Sequence, residues 1–585
     1  MEMNKYTLKP LCLAIGLAMA SLASAASLDL SGTNFYMKFL DGSQMGAPTG
    51  SIDTASGGDQ GQFTEMNLIF KATISPKVEA GGRIQSRSSA AYWTEFGGFG
   101  QENAAGGYTA DQINHQKFMK LRGAYVELSP GYDWLSQVRV GTSDWGMFDP
   151  FTIGKIRYID RDNYNGLYFK GPMMASGSSW ELARVSLPSY LQYNWGNGPV
   201  CCSSDQTQYN EAVYIAQFKM PAGPAKLAAS YMSFIDHTLG TTANQYTGVN
   251  TKAIYKNTVM SLKADGSPAD GIDLRGAYYR STSDTSAGTA GETWGNAPRS
   301  SITDKAIKLD VDWTTPVDSL TLSYQYFNIG AGYYSTAAAR RESDVLLTEG
   351  SESAWYSWGT AIWSGGATSD YTQSASARNV TDNAYMDFNE SPAESSVGWK
   401  GHTFMGKYEV AETPMSLELT RVGYNNNWQN YSATGPLSNY FALNQDRSTN
   451  IIAFKLNHNF QVMGGLDANL KFKRVDDKDK VSAAVATDDR SVLDSGVTAS
   501  VGNQLFADLY GTLSFGRYIR DIKSGANTFN NSKSIYGVKF AYNLPGFEMG
   551  MLTQWIRGNG NPTETVGASV KIQQYRMKAY AQVNF

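Results

Sequence analysis

The final stretch of the chain, residues 575–585, reads YRMKAYAQVNF. Tyr575, Met577, Ala579, Ala581, Val583 and Phe585 alternate with Arg576, Lys578, Tyr580, Gln582 and Asn584. A period of two puts the apolar set on one face of an extended strand and the polar set on the other. The pattern recurs upstream. Met66, Leu68, Phe70, Ala72 and Ile74 interleave with Asn67, Ile69, Lys71 and Thr73. Leu505, Ala507, Leu509, Gly511, Leu513 and Phe515 interleave with Phe506, Asp508, Tyr510, Thr512 and Ser514, which reads as one further strand.

Weaker alternation predicts strands near 28–39, 78–88, 116–129, 134–143, 164–171, 179–188, 210–220, 225–236, 251–263 and 270–281. More follow near 303–313, 319–328, 398–410, 415–425, 449–460, 465–476, 533–543 and 547–557. The connections alternate in length. Ser75-Pro76-Lys77, Ser129-Pro130-Gly131, Pro221-Ala222-Gly223-Pro224, Thr314-Thr315-Pro316, Glu412-Thr413-Pro414 and Leu544-Pro545-Gly546 are short, and Pro and Gly preset turn dihedrals. Between them lie longer polar stretches near 40–61, 89–115, 188–209, 237–250, 282–302, 329–397, 426–448 and 477–502. One set of connections is therefore expected at each end of a closed, up-and-down sheet.

Composition narrows the class. Charged residues make up 17% of the 585, below the roughly 25% of soluble domains. Tyr (35) and Gly (58) are abundant and Pro (18) is scarce, which suits an all-β chain. With Lys+Arg at 49 against Asp+Glu at 53, a broadly basic nucleic-acid binder is excluded. Beyond the N-terminus no run approaches the ~20 apolar residues of a membrane helix. At the N-terminus, Lys5 and Lys9 precede the apolar run Leu11–Leu22 and the small-residue site Ala23-Ser24-Ala25. Residues 1–25 are read as a cleaved secretory signal peptide and 26–585 as the barrel.

With a signal peptide, full alternation and a terminal Phe, the 575–585 segment resembles the C-terminal strand that bacterial outer-membrane assembly machinery recognises. The resemblance implies that machinery as a partner, acting on the Phe585 strand. The whole chain resembles Gram-negative outer-membrane porins in architecture, without a family motif. The implied fold is all-β: one large antiparallel transmembrane β-barrel, with an inward-folded loop and long extracellular loops. The segments number 21, yet both chain ends of such a barrel lie on one side, so the count should be even. The mismatch falls between 477 and 533, and the expectation is 20–22 strands, with 18 as the lower alternative. Sixteen to eighteen strands already enclose an aqueous channel, so the interior is expected to be open unless loops fill it.

Two loops attract attention. Segment 143–163 mixes Asp144, Asp149, Lys155, Arg157, Asp160, Arg161 and Asp162 with Trp145, Phe148, Phe151 and Tyr158. Its position and charge resemble the constriction loop of trimeric porins, where opposed charges filter solutes. That reading assigns Asp149, Lys155, Arg157, Asp160, Arg161 and Asp162 to the narrow region. The alternative is an outer loop whose charges pair among themselves. Connection 329–397 is long enough to suggest function. Within it, 335–350 has helical character, and Arg340 and Arg341 are candidates for gating or solute binding; the alternative is an extracellular cap. Trp355, Tyr356, Trp358 and Trp363 could stack sugars or anchor at an interface.

Elsewhere, Cys201-Cys202 is a candidate vicinal disulfide in an oxidising envelope. Asp382, Asp387, Glu390 and Glu394 are read as either a surface cation site or a solvated acidic loop. Arg83, Arg122, Arg139, Lys219, Arg275, Lys308, Lys407, Lys455, Lys471 and Lys473 fall on polar strand faces. Because a lipid-facing charge at mid-bilayer costs about 2–4 kcal/mol, they are expected to face the lumen. Glu65, Glu79, Glu127, Asp310, Glu409, Glu418 and Asp508 are their expected acidic partners there.

The leading functional expectation is a channel for small hydrophilic solutes or ions, in contact with outer-membrane lipid and lipopolysaccharide. The porin resemblance implies a homo-trimer, with a monomeric barrel of 20-plus strands as the alternative, and no cofactor, metal or nucleic acid is expected. The alternative is the barrel sheath of a porin–cytochrome electron conduit, although C-x-x-C-H is absent. An enzyme is not expected, since His115, His237, His402 and His458 sit in no nucleophile motif. A TonB-dependent transporter is disfavoured because no plug-sized segment precedes the first strand.

Overall fold

The structure, a computed structural model, describes residues 27–45, 61–89, 117–143, 145, 148, 152, 165–173, 177–186, 212–235 and 254–287 of the first half. Beyond these it describes 293–294, 297–298, 302–330, 333, 399–425, 448–462, 465–480, 489–560, 566–567 and 570–585. Among the described residues there is no α-helix.

The strands begin with β1 Ser27–Asp29, β2 Asn34–Met45, β3 Gly61–Ser75, β4 Val78–Ser89, β5 Lys117–Leu128 and β6 Gln137–Thr142. Next come β7 Asn165–Pro172, β8 Ser179–Ser186, β9 Ala212–Ala222, β10 Ala225–Ile235, β11 Ile254–Ala269 and β12 Ile272–Ala287. After the two-residue β13 Thr293–Trp294 and β14 Ala297–Pro298 come β15 Ile302–Thr314, β16 Leu320–Ile329, β17 Trp399–Val410 and β18 Thr413–Tyr424. The rest are β19 Ser448–Phe460, β20 Leu466–Lys480, β21 Asp489–Phe506, β22 Leu509–Ser524, β23 Asn527–Leu544, β24 Phe547–Gly560 and β25 Val570–Asn584.

The main sheet contains 23 strands, and β13 and β14 pair only with each other. β1 is not a separate stave. Asp29 pairs with Lys71 and Asn34 with Asn67, so β1 and β2 lie end to end along the same edge of β3. The other neighbours pair antiparallel in chain order, and β25 returns to β2, with Phe35 opposite Val583 and Met37 opposite Ala581. The Phe585 N–H donates to the Thr33 carbonyl at 3.0 Å, which extends the seam to the last residue. The result is a closed all-β barrel of 22 staves among the described residues.

The count falls within the expected 20–22, and the missing strand is β21, most of which lies in the stretch read as an outer loop at 477–502. The segment read as one strand at 505–515 is instead a hairpin: Ala507 and Asp508 turn between β21 and β22. Asp508 therefore sits in a turn and not on the lumenal wall. Glu412 also lies in a turn, but Thr413 and Pro414 already belong to β18.

Every second connection lies at the same end. At one end these are brief, such as Pro76-Lys77, Asp270-Gly271, Ala411-Glu412 and Pro545-Gly546. The opposite end carries the connection from β16 to β17, residues 330–398, but also the two-residue Gly525-Ala526 turn.

The two faces of the wall differ as the alternation requires. In β9, buried Val213, Ile215 and Gln217 alternate with exposed Tyr214, Phe218 and Met220. In β18, buried Glu418, Thr420 and Val422 alternate with exposed Leu417 and Leu419. Large apolar side chains left exposed all around one face, with polar groups on the other, are the arrangement of a wall with lipid outside. No helix among the described residues is long and apolar enough to cross a membrane. Twenty-two strands spaced ~4.8 Å apart and tilted ~40° enclose a ring about 44 Å across. Facing side-chain layers fill only about 10 Å, so the wall cannot close its own interior.

Candidate functional site

The inner wall is a series of short charge networks built by cross-strand register. On β3 to β6, Lys71 pairs with Glu79 at 2.8 Å, and the Tyr125 hydroxyl donates to Glu79 Oε1 at 2.8 Å. Arg139 lies over the Tyr125 ring, 3.5 Å from its centroid, and pairs with Glu127 at 3.4 Å. A guanidinium held against an aromatic face is fixed in position as well as charge. Next to this group, Arg83 donates to Asn67 Oδ1 at 2.8 Å. One glycine makes the arrangement possible: Gly141 has φ +112°, and a Cβ there would stand 2.1 Å from the Ala124 carbonyl oxygen.

Further round, Lys219 pairs with buried Glu181 at 2.9 Å. The Gln325 amide donates to Asp310 and the Ser323 hydroxyl to Asp312, each at 2.6 Å, while Arg275 pairs with Asp312 and Lys308 with Asp310. On β18 the Thr420 hydroxyl reaches Glu418 at 3.0 Å. Asp494 and Arg520 pair across β21 and β22, and Glu548 accepts from Tyr580 and faces Lys539 at 3.7 Å. Arg83, Arg139, Lys219, Arg275, Lys308, Lys407, Lys455, Lys471 and Lys473 thus share the inner face with Glu79, Glu127, Asp310, Glu409 and Glu418, as the alternation predicts. The side chains of Arg122 and Glu65 lie outside the described residues. The wall carries both signs, and the ion pairs and hydrogen bonds named above hold many of these charges in fixed places.

Toward the long-loop end the inner face changes character. Val185, Val213, Met232, Phe234, Val259, Phe327, Ile329, Ile451, Val475 and Ile522 are buried there in one apolar cluster. Three residues from the connecting loops join it. Trp145 and Phe148 belong to the cluster, and Phe148 meets the lumen-facing Tyr168 edge-on at 6.2 Å. A Cβ on Gly166 would stand 2.6 Å from the Trp145 ring, so β7 has a glycine where that ring lies. Tyr333 packs edge-on against the inward Tyr279 at 6.3 Å. Both the 143–163 segment and the long connection after β16 therefore turn inward at their bases. Sequence reasoning did not single out this apolar collar. Its signal is aliphatic and aromatic residues on both faces of a strand near its loop end, as at Tyr231–Phe234.

Asp149, Lys155, Arg157, Asp160, Arg161, Asp162, Arg340, Arg341, Cys201 and Cys202 lie outside the described residues. So do Trp355, Tyr356, Trp358, Trp363 and the acidic residues of 382–394. Among the described residues no group of His, Cys, Asp and Glu is arranged to hold a metal.

No protein-family model matches the chain, and no curated protein matches it in sequence. Similar solved structures include the P pilus usher (PapC) translocation pore, with 10% identity and TM-score 0.31 over 95% of this chain and 99% of that one. OccK9 (OpdG) of Pseudomonas aeruginosa gives 8% identity and TM-score 0.34 over 96% and 99% of the two chains. OccK3 (OpdO) of the same organism gives 7% and 0.32 over 97% of each. Similarity at this level supplies no residue-by-residue correspondence.

Proposed function

We propose that this chain is an outer-membrane channel that admits small hydrophilic solutes or ions. One observation carries the reading: a ring about 44 Å across, apolar outside, is lined inside by fixed charges of both signs. Such a wall replaces hydration along a water-filled path through hydrocarbon. The inward bases of two loops, at Trp145, Phe148 and Tyr333, support narrowing at the loop end. On this reading the 143–163 segment supplies the constriction, Arg340 and Arg341 contact the solute or gate the mouth, and residues 1–25 direct export. A trimer is part of the proposal.

Planar-bilayer recording of the purified chain tests it. Discrete conductance steps are expected, with a reversal potential under a salt gradient that reports the charge balance. Absence of conductance, or haem copurifying with the solubilised barrel, would favour a sheath around a cytochrome instead.

A further inference from the structure

Not every strand cation faces inward. Arg280 lies between buried Tyr279 and Ser281, and Arg421 between buried Thr420 and Val422. Arg474 precedes buried Val475, and Arg517 follows Gly516, also buried. Alternation therefore points all four arginines outward, and all four are exposed. They also share a height. Each is the ninth residue of a strand that starts at a short turn: 272 to 280, 413 to 421, 466 to 474 and 509 to 517. The eight steps from the first residue to the ninth rise about 21 Å along a barrel tilted ~40°, close to the top of an apolar band ~25 Å tall. Just beneath them the outer face carries Tyr278, Leu419, Phe472 and Phe515. The arginines stand at the point where hydrocarbon gives way to headgroups on the long-loop side.

Like charges meet there. Lys305 is directly opposite Arg280; Arg517 donates to Ser534 Oγ at 2.8 Å, and Arg557 lies one strand further on, beyond Ser534. Cross-strand like charges are destabilising unless an anion lies between them. Among the described residues no acidic side chain pairs with Arg280, Arg421 or Arg474, while the outward Asp476 is paired with Lys478 at 3.6 Å. The opposite rim is different: its exposed outer residues include Trp134, Trp313, Phe506 and Phe585. Aromatic residues mark one rim and arginines set above aromatic residues mark the other, so the two leaflets this barrel fits are chemically unlike.

We infer that the outward basic girdle at the long-loop end binds the phosphate groups of an anionic, phosphorylated glycolipid leaflet and thereby fixes the barrel's depth. The occupant is a lipid headgroup because the cations stand directly above an apolar, aromatic surface that acyl chains would cover. Charge complementarity favours phosphate.

The test titrates the detergent-solubilised full chain with diphosphoryl lipid A and counts bound lipid by native mass spectrometry. Phosphatidylcholine and inorganic phosphate serve as reference probes. Diphosphoryl lipid A is expected to bind in preference to both. The triple variant R280Q/R421Q/R474Q is expected to bind it about a hundredfold more weakly, at about fivefold per cation. The matching triple Lys variant should stay within a few-fold of the parent and is decisive if the Gln variant does not fold, as shown by heat-modifiable gel mobility. Loss of binding in the Lys variant would overturn the charge assignment. Undiminished binding by a folded Gln variant would overturn the site, and inorganic phosphate binding as tightly as the lipid would overturn the lipid. Single-channel conductance should be unchanged in every variant, so this inference can fail while the channel reading stands.

Discussion

Asp494 and Arg520 meet across β21 and β22 in a forked ion pair, Nε to Oδ1 at 2.7 Å and the second nitrogen to Oδ2 at 2.8 Å. Their side chains are 2% and 9% exposed. A buried pair of this geometry pins register more than it adds stability, because its Coulombic gain is offset by desolvation. Breaking it is another matter. Asp494→Asn leaves a buried cation and is expected to cost about 3–5 kcal/mol, whereas replacing both residues with Leu should be much closer to neutral. Urea unfolding followed by tryptophan fluorescence would distinguish the two; equal losses in both variants would show that the pair matters chiefly for its polar contacts.

Trp145 anchors the start of the 143–163 segment against the inner face of β7. Truncating a buried aromatic costs about 3–5 kcal/mol, more than a loop attached at its two ends can readily absorb. Trp145→Ala should free the segment and raise single-channel conductance while leaving gel mobility of the folded barrel unchanged. Unaltered conductance with intact folding would mean that the segment does not narrow the path.

Much of the wall was legible because each strand has one face in lipid and the other in a polar interior. Met66 to Ile74 and Tyr575 to Phe585 show the consequence at full amplitude. β21 does not. Its outward residues include Ser495 and Ala499 beside Leu493, Val497 and Val501, and its inward ones include Asp494, Gly496 and Ser500. Low amplitude with Gly, Ser and Asp reads as loop. The turn after it was hidden for a different reason: alternation continues through the two-residue Ala507-Asp508 turn, and neither residue is Pro or Gly.

The placement of cations shows the same limit. The cost of charge at mid-bilayer correctly sent Arg83, Arg139 and Lys308 inward. Arg280 and Arg421 escape that cost by height, and height is readable only once the turn that starts each strand is known.

The turn between β17 and β18 stores a small strain. Ala411 and Glu412 have φ of 46° and 62°, the left-handed region that a two-residue hairpin of this twist demands at both central positions. An L-residue there costs roughly 1–2 kcal/mol, against about 0.5–1 for the extra freedom of glycine in the unfolded chain. Glu412→Gly should therefore stabilise the barrel by up to about 1 kcal/mol, seen as a higher urea midpoint. A lowered midpoint would show that the Glu412 side chain makes a compensating contact.

Arg157 and Arg161 test the constriction directly. If the 143–163 segment follows its Trp145 and Phe148 base into the path, its charges act where the wall is nearest the solute and the field is least screened. Neutralising both as R157Q/R161Q removes two positive charges and leaves Asp149, Asp160 and Asp162. The reversal potential under a salt gradient should then move toward cation preference, with little change in fold stability because both residues fall in sequence between β6 and β7. A potential identical to the parent's would place both arginines away from the narrow region, and selectivity would then rest on wall networks such as Lys219 with Glu181 and Arg139 with Glu127.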